Sequence, residues 1–222
     1  MMEQRSQAWF AARLGKVTAS RVADVIAKTK TGPSASLAAY MAQLIAERLT
    51  GVPQEAYSNA AMDWGTATEP EARIAYEFHA NLDVAEIGFV NHPFIAMSGA
   101  SPDGLVGEMG LLELKCPTTS THIDTLLGRS VPDKYIVQMQ WQMACSEREW
   151  CDFASYDPRL PDHMRLFVAR IERDDKRIAD LEHSVSDFLG EVEEKLAALA
   201  HRYEGAEHPV KAQLTQSILM AG

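Results

Sequence analysis

An aspartate, a glutamate and a lysine are spaced so that one pair of strands could bring them together. Asp103 precedes Glu113 by ten residues, and Lys115 follows two residues later in the apolar run 111–116. Because side chains alternate between the two faces of a strand, Glu113 and Lys115 share one face. A glycine-containing turn at 107–110 folds the Asp103 segment back against this strand. The spacing predicts two carboxylates and one ammonium at the end of a sheet.

Three roles fit this cluster, of which two are catalytic and one is structural. Two carboxylates suit Mg²⁺ or Mn²⁺, hard cations that bind oxygen and bridge to substrate phosphates. A cation held there polarises a phosphoryl oxygen and lowers the pKa of bound water, which Lys115 could orient. A carboxylate pair could instead cleave a glycosidic bond, although that chemistry does not need Lys115 on the same face. The third alternative is a salt bridge between Glu113 and Lys115 without a catalytic role.

Length and composition indicate one large folded domain or two small ones. The chain has 222 residues, of which 46% are hydrophobic, enough for a core and against disorder. No apolar run approaches the ~20 residues that span a bilayer, and the N-terminal residues lack a signal-peptide core. These features predict a cytoplasmic protein without membrane contact. The cysteines (Cys116, Cys145 and Cys151) form no Cys-x-x-Cys pair, so reduced, buried thiols are expected.

The charge and the histidines narrow the choice of partners and metals. The net charge of −10 argues against a protein that coats nucleic acid through bulk positive charge. It does not exclude nucleic acid as a substrate, because basic groups can be confined to one groove. The seven histidines show no zinc-site spacing.

The order of predicted elements indicates an α/β (α+β) fold, with helices first, strands in the middle and helices flanking them. One domain is predicted over residues 1–203 around a central mixed sheet, followed by a tail at 204–222 without an assigned role. Residues 18–20 are expected to cap the second helix. Helices are predicted at about 4–14, 20–28, 34–49, 61–79 (or 66–79), 119–127, 133–146 and 178–199, and strands at about 83–91, 95–98, 104–106, 111–115, 150–156 and 165–171.

Several segments resemble one known family when they are taken in chain order. They are Arg13-Leu-Gly-Lys-Val-Thr-Ala-Ser20, Trp64-Gly65 with Glu69, Ser101-Pro-Asp-Gly104, Leu112-Glu-Leu-Lys-Cys-Pro117, Tyr135-Ile-Val-Gln-Met-Gln140 and Tyr156-Asp-Pro-Arg159. Together they resemble the phage lambda exonuclease family, also called YqaJ-type viral recombinases, within the PD-(D/E)xK nucleases. The resemblance covers about residues 7–200 and implies a restriction-endonuclease-like core.

The resemblance implies roles for the acidic cluster. Asp103, Glu113 and the backbone carbonyl of Leu114 would bind two Mg²⁺ ions, with Mn²⁺ as a possible substitute. Lys115 would position and activate the attacking water.

Two further residues near the metals gain roles only from the resemblance. Glu69 would hold a metal-bound water, and Gln138 would help to align the nucleophile or the lysine amine. The alternatives are a helix N-terminal charge favoured by the macrodipole for Glu69, and a solvent-facing helix residue for Gln138.

The resemblance also implies contacts with a DNA end. Arg13, Ser20 and Ser101 match the family's pocket for a 5′-phosphate, since a guanidinium and hydroxyls suit a terminal phosphate. The alternatives are a helix cap for Ser20 and a surface ion pair for Arg13. Met62 matches an apolar wedge at the terminal base pair, and Lys30 matches a basic residue that tracks the duplex groove. Family members often carry arginine at the position of Lys30.

The implied function is a Mg²⁺-dependent, processive 5′→3′ exonuclease on double-stranded DNA. It would release 5′-mononucleotides and leave 3′ single-stranded overhangs for recombination by strand annealing. The implied partners are duplex DNA ends with a 5′-phosphate, a single-strand annealing protein and two further copies of the chain in a homotrimeric ring. A phage or prophage origin in a bacterial host is implied as well.

Two alternative functions share parts of the same evidence. A structure-specific endonuclease of the superfamily would use Asp103, Glu113 and Lys115 but ignore DNA ends. A catalytically inactive DNA-binding module would bind DNA without hydrolysing it, and the complete set of catalytic residue types argues against it.

Overall fold

The structure, a computed structural model, describes residues 3–29, 32–54 and 60–203. Its helices are α1 (Gln7–Arg13), α2 (Val22–Val25), α3 (Ala35–Thr50), α4 (Ala60–Ala80), α5 (Thr119–Gly128), α6 (Asp133–Ser146) and α7 (Asp175–Arg202). Its strands are β1 (Val17–Thr18), β2 (Lys28–Thr29), β3 (Gly32–Pro33), β4 (Val84–Ala85), β5 (Val90–Asn91), β6 (Ser98–Ala100), β7 (Gly104–Val106), β8 (Gly110–Lys115), β9 (Trp150–Tyr156) and β10 (Leu166–Glu172).

A five-stranded mixed sheet forms the centre of the domain. Its strand order is β10-β9-β8-β7-β4, with β8 and β9 parallel and the other pairs antiparallel. A smaller sheet has the order β1-β6-β5, and β2 and β3 form a two-stranded sheet. The predicted α/β class with a central mixed sheet is therefore confirmed.

Glycines allow the tight turn that joins β7 and β8 in a hairpin. Gly104 pairs with Leu112, and Val106 pairs with Gly110, so the turn falls where the sequence predicts it. Gly107 has a φ of 55°, a left-handed conformation that glycine adopts without steric cost. This turn fixes the register that brings the residue before β7 next to the end of β8.

Helices cover both faces of β8, and this burial explains its apolar sequence. On one face Leu112 and Leu114 pack with Ala72 and Tyr76 of α4. On the other face a cluster is formed by Leu111, Met139, Met143, Cys151 and Phe153. A strand buried on both faces holds its polar side chains in fixed positions, because each one must find a partner inside the protein.

The periodicity of the long helix α7 predicts its apolar face, but the expectation that this face packs on the sheet is wrong, because it packs mainly against the helices α2, α3 and α6. Val185, Phe188 and Val192 are buried in one cluster with Tyr40 and Leu44 of α3. Helix α3 begins after Ser34, whose side chain accepts from the Leu37 amide, and ends at Gly51 in a left-handed conformation. These local signals are readable in the sequence.

Three predicted elements are wrong in extent. The strand predicted at 95–98 lies at Ser98–Ala100, because residues 95–98 form a turn closed by the Ser98 N–H and the Ile95 carbonyl. The predicted helix at 20–28 is a short 3₁₀ turn followed by the four-residue α2, and no side chain of 18–20 caps it. The predicted strand at 83–91 is divided between β4 in the large sheet and β5 in the small one. Alternation along a segment does not reveal a change of partner strand. Lys30 and the tail at 204–222 lie outside the described residues.

The three cysteines are free thiols, as expected, with Cys145 and Cys151 buried and Cys116 partly buried. Within the described ranges, every helix is too short or too polar to cross a membrane.

Candidate active site

The hairpin brings Asp103, Glu113 and Lys115 together at the end of β8. The backbone N–H of Leu114 donates to Asp103 Oδ2 at 2.7 Å, and Lys115 Nζ donates to Glu113 Oε1. Glu113 is fully buried, whereas the Lys115 side chain is 27% exposed. The salt bridge expected from the triplet is therefore present, and it lies beside a second carboxylate.

Helix α6 supplies two amides to the buried glutamate. Gln138 Nε2 donates to Glu113 Oε1 at 2.7 Å, and Gln142 Nε2 donates to Glu113 Oε2 at 2.6 Å. The solvent-facing alternative for Gln138 is thus wrong. Gln142 was not identified from the sequence, although its position one helical turn after Gln138 places both amides on one face of α6.

Glu69 reaches the same region from the middle of α4. Arg5 donates to Glu69 Oε2 at 2.6 Å, and Arg73 donates to Glu69 Oε1 at 3.3 Å. Arg73 also lies 3.5 Å from the backbone carbonyl of Asp103. Because α4 begins at Ala60, Glu69 lies far from the helix start and the macrodipole alternative is wrong. Arg5 and Arg73 were not identified from the sequence.

The carboxylates crowd one another electrostatically. Burial and the nearby Glu113 and Glu69 raise the pKa of Asp103 to about 8, against a partial opposing effect of Lys115. Burial lowers the pKa of Lys115, but Glu113 and Asp103 outweigh it and raise that pKa above its ordinary value. A cation bound beside Asp103 would favour the ionised form of this carboxyl group and offset the repulsion from Glu113 and Glu69.

The donor set fits a hard divalent cation. The available ligands are carboxylate oxygens of Asp103 and Glu113 and the carbonyl of Leu114, which are the oxygen donors that Mg²⁺ prefers. The N–H of Leu114 points to Asp103, and the N–H and C=O of one strand residue point to the same side, so its carbonyl faces Asp103 as well. Among the described residues, no three side chains of His, Cys, Asp or Glu form a ready-made metal cluster. Backbone and water ligands would complete the shell.

A cavity of about 690 Å³ lies between α1, α3 and the start of α4. Arg13, Ser20 and Met62 all line it, together with Trp9 and Arg21. Arg21 was not identified from the sequence, although it directly follows the Arg13–Ser20 motif. The cavity combines cations, hydroxyls and apolar side chains, which suits a phosphorylated nucleotide.

Ser101 connects the cavity arginine to the acidic cluster. Its hydroxyl accepts from Trp9 Nε1 at 2.9 Å and from Arg13 at 3.3 Å. The guanidinium carbon of Arg13 stacks 4.0 Å above the Trp9 ring. Arg13 forms no salt bridge with any of the described residues, so the surface ion-pair alternative is wrong for this part of the chain. Burial lowers its pKa from the ordinary arginine value. Asp103 follows Ser101 by two residues, so the cavity and the acidic cluster lie next to each other.

Ser20 differs from its expected local role. It lies inside the 3₁₀ turn Ala19–Arg21, it is exposed, and no cap bond from it is present in this turn. The helix-cap alternative is therefore wrong, and its hydroxyl is available to the cavity. Met62 is 51% exposed at the start of α4.

A family model described as the YqaJ-like viral recombinase domain matches residues 8–149. This match spans the cavity, the β7–β8 hairpin and α6. The chain belongs to this family. The resemblance seen in the sequence motifs is thereby confirmed.

Solved structures extend the likeness over most of the chain. LHK-Exo, an alkaline exonuclease from Laribacter hongkongensis, is 54% identical, covers 90% of this chain and 98% of its own, and superposes with a TM-score of 0.84. A second LHK-Exo structure, in complex with dAMP, has a TM-score of 0.85 at the same identity and coverage. A phage-related exonuclease from Haemophilus somnus 129PT is 15% identical, covers 83% and 96% of the two chains, and has a TM-score of 0.68, a likeness of fold alone.

Two curated relatives are more distant. Protein R354 of Acanthamoeba polyphaga mimivirus is 26% identical over 164 residues, 68% of this chain but only 28% of that protein. ExoD of Escherichia coli K12 is 30% identical over 70 residues, 32% of this chain and 79% of that protein. The roles of individual residues stay predictions of the sequence and the geometry.

Proposed function

We propose that the protein is an exonuclease that degrades one strand of duplex DNA from its 5′ end in the presence of Mg²⁺. The continuous segment Ser101–Asp103 carries this proposal, because it joins the Arg13 cavity to the acidic cluster. An end-binding pocket beside a hydrolytic centre is the arrangement that end-dependent cleavage requires. The identity to an alkaline exonuclease supports the activity, and the dAMP in one such structure supports a 5′-mononucleotide product.

In the proposed mechanism Asp103, Glu113 and the Leu114 carbonyl hold the metal ions. Bound there, two Mg²⁺ ions would supply an activated water and stabilise the charge on the attacking and leaving oxygens. Lys115, a donor of three N–H groups, orients the water and faces the charge that develops on the phosphate. Glu69 holds a further water at the edge of the site.

The glutamine pair keeps the buried glutamate in one orientation. Gln138 and Gln142 each donate to a different oxygen of Glu113. Fixing both oxygens reduces the reorganisation needed when the substrate arrives. In this proposal Gln138 aligns the lysine amine through their shared acceptor, Glu113 Oε1.

The cavity selects the DNA end. Arg13 grips the terminal phosphate, and the Ser20 and Ser101 hydroxyls donate to it. Met62, at the rim of the same cavity, separates the terminal base pair. A cavity that binds a terminal phosphate through Arg13 would favour a free 5′ end over an internal site, because a terminal phosphate carries more negative charge.

The protein is also proposed to assemble with copies of itself and to have a partner protein. We propose a homotrimeric ring around the duplex, a single-strand annealing protein as partner on the new overhang, and a phage or prophage origin with a cytoplasmic location. Exposed apolar side chains on α4 and just after it support assembly, since Ile74 and Phe78 of α4 are 66% and 91% exposed and Leu82, two residues after the helix, is 41% exposed.

A paired digestion tests the activity and its polarity together. Linear duplex labelled at either end of a 5′-phosphorylated strand is incubated with Mg²⁺ beside a covalently closed circular duplex. Early release of labelled mononucleotide from the 5′ end, with the circle intact, is expected. A duplex with 5′-hydroxyl ends should be digested more slowly, because it leaves Arg13 without a phosphate. Cleavage of the circle would move the protein to the endonucleases, and binding without any cleavage would indicate a DNA-binding module.

A further inference from the structure

Arg5 stands out because it combines an unusual backbone with a contact at the acidic cluster. It has a φ of 65°, in the left-handed region that favours glycine. An arginine in this conformation costs about 1 kcal/mol relative to an ordinary one. Its guanidinium nevertheless reaches across the fold to donate to Glu69 Oε2 at 2.6 Å.

The segment that carries Arg5 is held against the acidic cluster. Gln4 Nε2 donates to the carbonyls of Pro102, at 2.8 Å, and Ile87, at 2.9 Å. Pro102 is the residue directly before Asp103. Ser6, on the other side of Arg5, caps α1 by accepting from the Trp9 amide. Arg5 is therefore held at a defined position between the start of α1 and the proposed metal ligands.

The two arginines at Glu69 differ in what they can offer a substrate. Arg73 is 15% exposed and is shared between Glu69, Glu86 and the Asp103 carbonyl. Arg5 is 50% exposed, and the ion pair with Glu69 engages one of its terminal nitrogens. A guanidinium carries further N–H groups, and their planar arrangement matches the oxygens of a phosphate.

We propose that Arg5 is a substrate-positioning residue that contacts a backbone phosphate of the DNA strand at the hydrolytic centre, distinct from the terminal phosphate assigned to Arg13. The inference rests on the proposed nuclease function. Glu69 holds the guanidinium over the site, where a polyanionic strand that approaches Asp103 and Glu113 meets it. Arg13 and Arg5 then grip the strand at the cavity and at the acidic cluster respectively.

The test compares binding and turnover of the full chain with Arg5→Gly, Arg5→Lys and Arg129→Gly. The glycine removes the guanidinium and relieves the left-handed backbone. Arg129 is the matched control, because it is an exposed arginine with a φ of 46° at the far end of α5. Binding of linear duplex is measured with Ca²⁺ in place of Mg²⁺ over a series of salt concentrations, and KM is measured with Mg²⁺.

Loss of one phosphate contact should have a specific signature. Arg5→Gly should weaken duplex binding and raise KM by about tenfold or more, and should reduce the slope of log Kd against log salt by about one. Arg5→Lys should restore the slope but only part of the affinity, since an ammonium lacks the guanidinium fork. Arg129→Gly should match the unmodified protein.

An unchanged salt slope and KM in Arg5→Gly would overturn the inference, and a fall in kcat alone would assign Arg5 to holding Glu69 instead. Failure of the proposed function gives a different result, since the unmodified protein would then not digest linear duplex at all. The salt slopes of the four proteins remain measurable in that case, and they decide the phosphate contact independently.

Discussion

Two buried carboxylates lie on neighbouring strands of the central sheet and have different charged neighbours. Glu113 on β8 faces α6 and receives Lys115 and two glutamine amides, with Asp103 close by. Asp152 on β9 faces α4 and receives Arg170 at 2.8 and 2.9 Å and the Tyr76 hydroxyl at 2.8 Å. Glu113 has a second carboxyl group, that of Asp103, close to it, whereas both oxygens of Asp152 accept hydrogen bonds from Arg170.

This difference distinguishes the candidate active site at Glu113 from a structural hydrogen-bond network at Asp152. The Asp152 carboxylate has a bidentate guanidinium and a buried hydroxyl, and Arg170 stacks 3.5 Å above Trp150, so this network needs nothing further. Crowding at the other carboxylates raises the pKa of Asp103 to about 8, mainly through burial and Glu113. Strong perturbation of a carboxyl group that a substrate can approach is typical of functional sites, whereas a closed pair stabilises the fold.

The largest expected effect is on turnover, from Lys115→Ala. Removing a positioned catalytic group should reduce kcat by about 10² to 10⁴, because the water and the developing charge lose their ammonium donor. Metal binding and duplex binding should persist, since Lys115 is not a ligand. Single-turnover digestion and duplex binding with Ca²⁺ measure the two properties separately. Loss of Mg²⁺-dependent DNA binding in this variant would contradict the role.

Asp103→Asn should abolish hydrolysis and change the pH dependence of folding. In metal-free protein the pKa of Asp103 is raised by burial and Glu113 from 3.8 to about 8, so the folded state holds a proton that the unfolded state releases. Stability from this group is therefore present below pH 3.8 and lost as the pH rises to about 8. Urea unfolding in EDTA across this range should show a smaller decline for Asp103→Asn than for the unmodified chain. Equal declines would show that the protonation of Asp103 does not contribute to the pH dependence of the free energy of unfolding.

Asp152→Ala should give the opposite pattern. It should lower the free energy of unfolding by about 1–3 kcal/mol, because the buried Tyr76 hydroxyl loses its acceptor and Arg170 loses its partner. The half-exposed arginine can turn to water, which limits the loss. The kcat per folded molecule should stay unchanged. Thermal unfolding and digestion rates check both statements, and a selective loss of kcat would link this network to the site.

The smallest expected effect concerns a second closed pair, Asp157 with Arg159. Burial opposes ionisation of Asp157, but hydrogen bonds from Arg159 outweigh it and lower the pKa of Asp157 from 3.8 to about 2. The pair should stabilise the fold above pH 3.8 and lose this contribution as the pH falls to about 2. Acid unfolding of Asp157→Asn, compared with the unmodified chain, measures the difference. Parallel acid curves would show that the pair contributes nothing measurable.

Local sequence was sufficient for the parts of the site that depend on a few neighbouring residues. The alternation of β8 places Glu113 and Lys115 on one face, and the glycines of the 107–110 turn bring Asp103 back to them. Helix α6 at 133–146 and strand β9 at 150–156 have their predicted bounds. The ordered motifs also identified the family correctly.

Long-range contacts account for what the sequence did not reveal. The Trp9–Ser101 and Arg5–Glu69 hydrogen bonds join residues 92 and 64 positions apart, and the Gln142–Glu113 bond joins α6 to β8. Such contacts depend on how the helices pack on the sheet. A periodic pattern shows which face of an element is apolar, but not which element covers it.

The segments that changed role show the same limit. The residues at 83–91 alternate like one strand but serve two sheets, and Ser20 has a capping residue's chemistry without a cap. Residue types and spacing thus fix which groups are available for hydrolysis, because strand and turn geometry are local. Packing determines which carboxylate is paired with an arginine and which lies beside other carboxylates, because burial and charged neighbours are properties of the assembled fold.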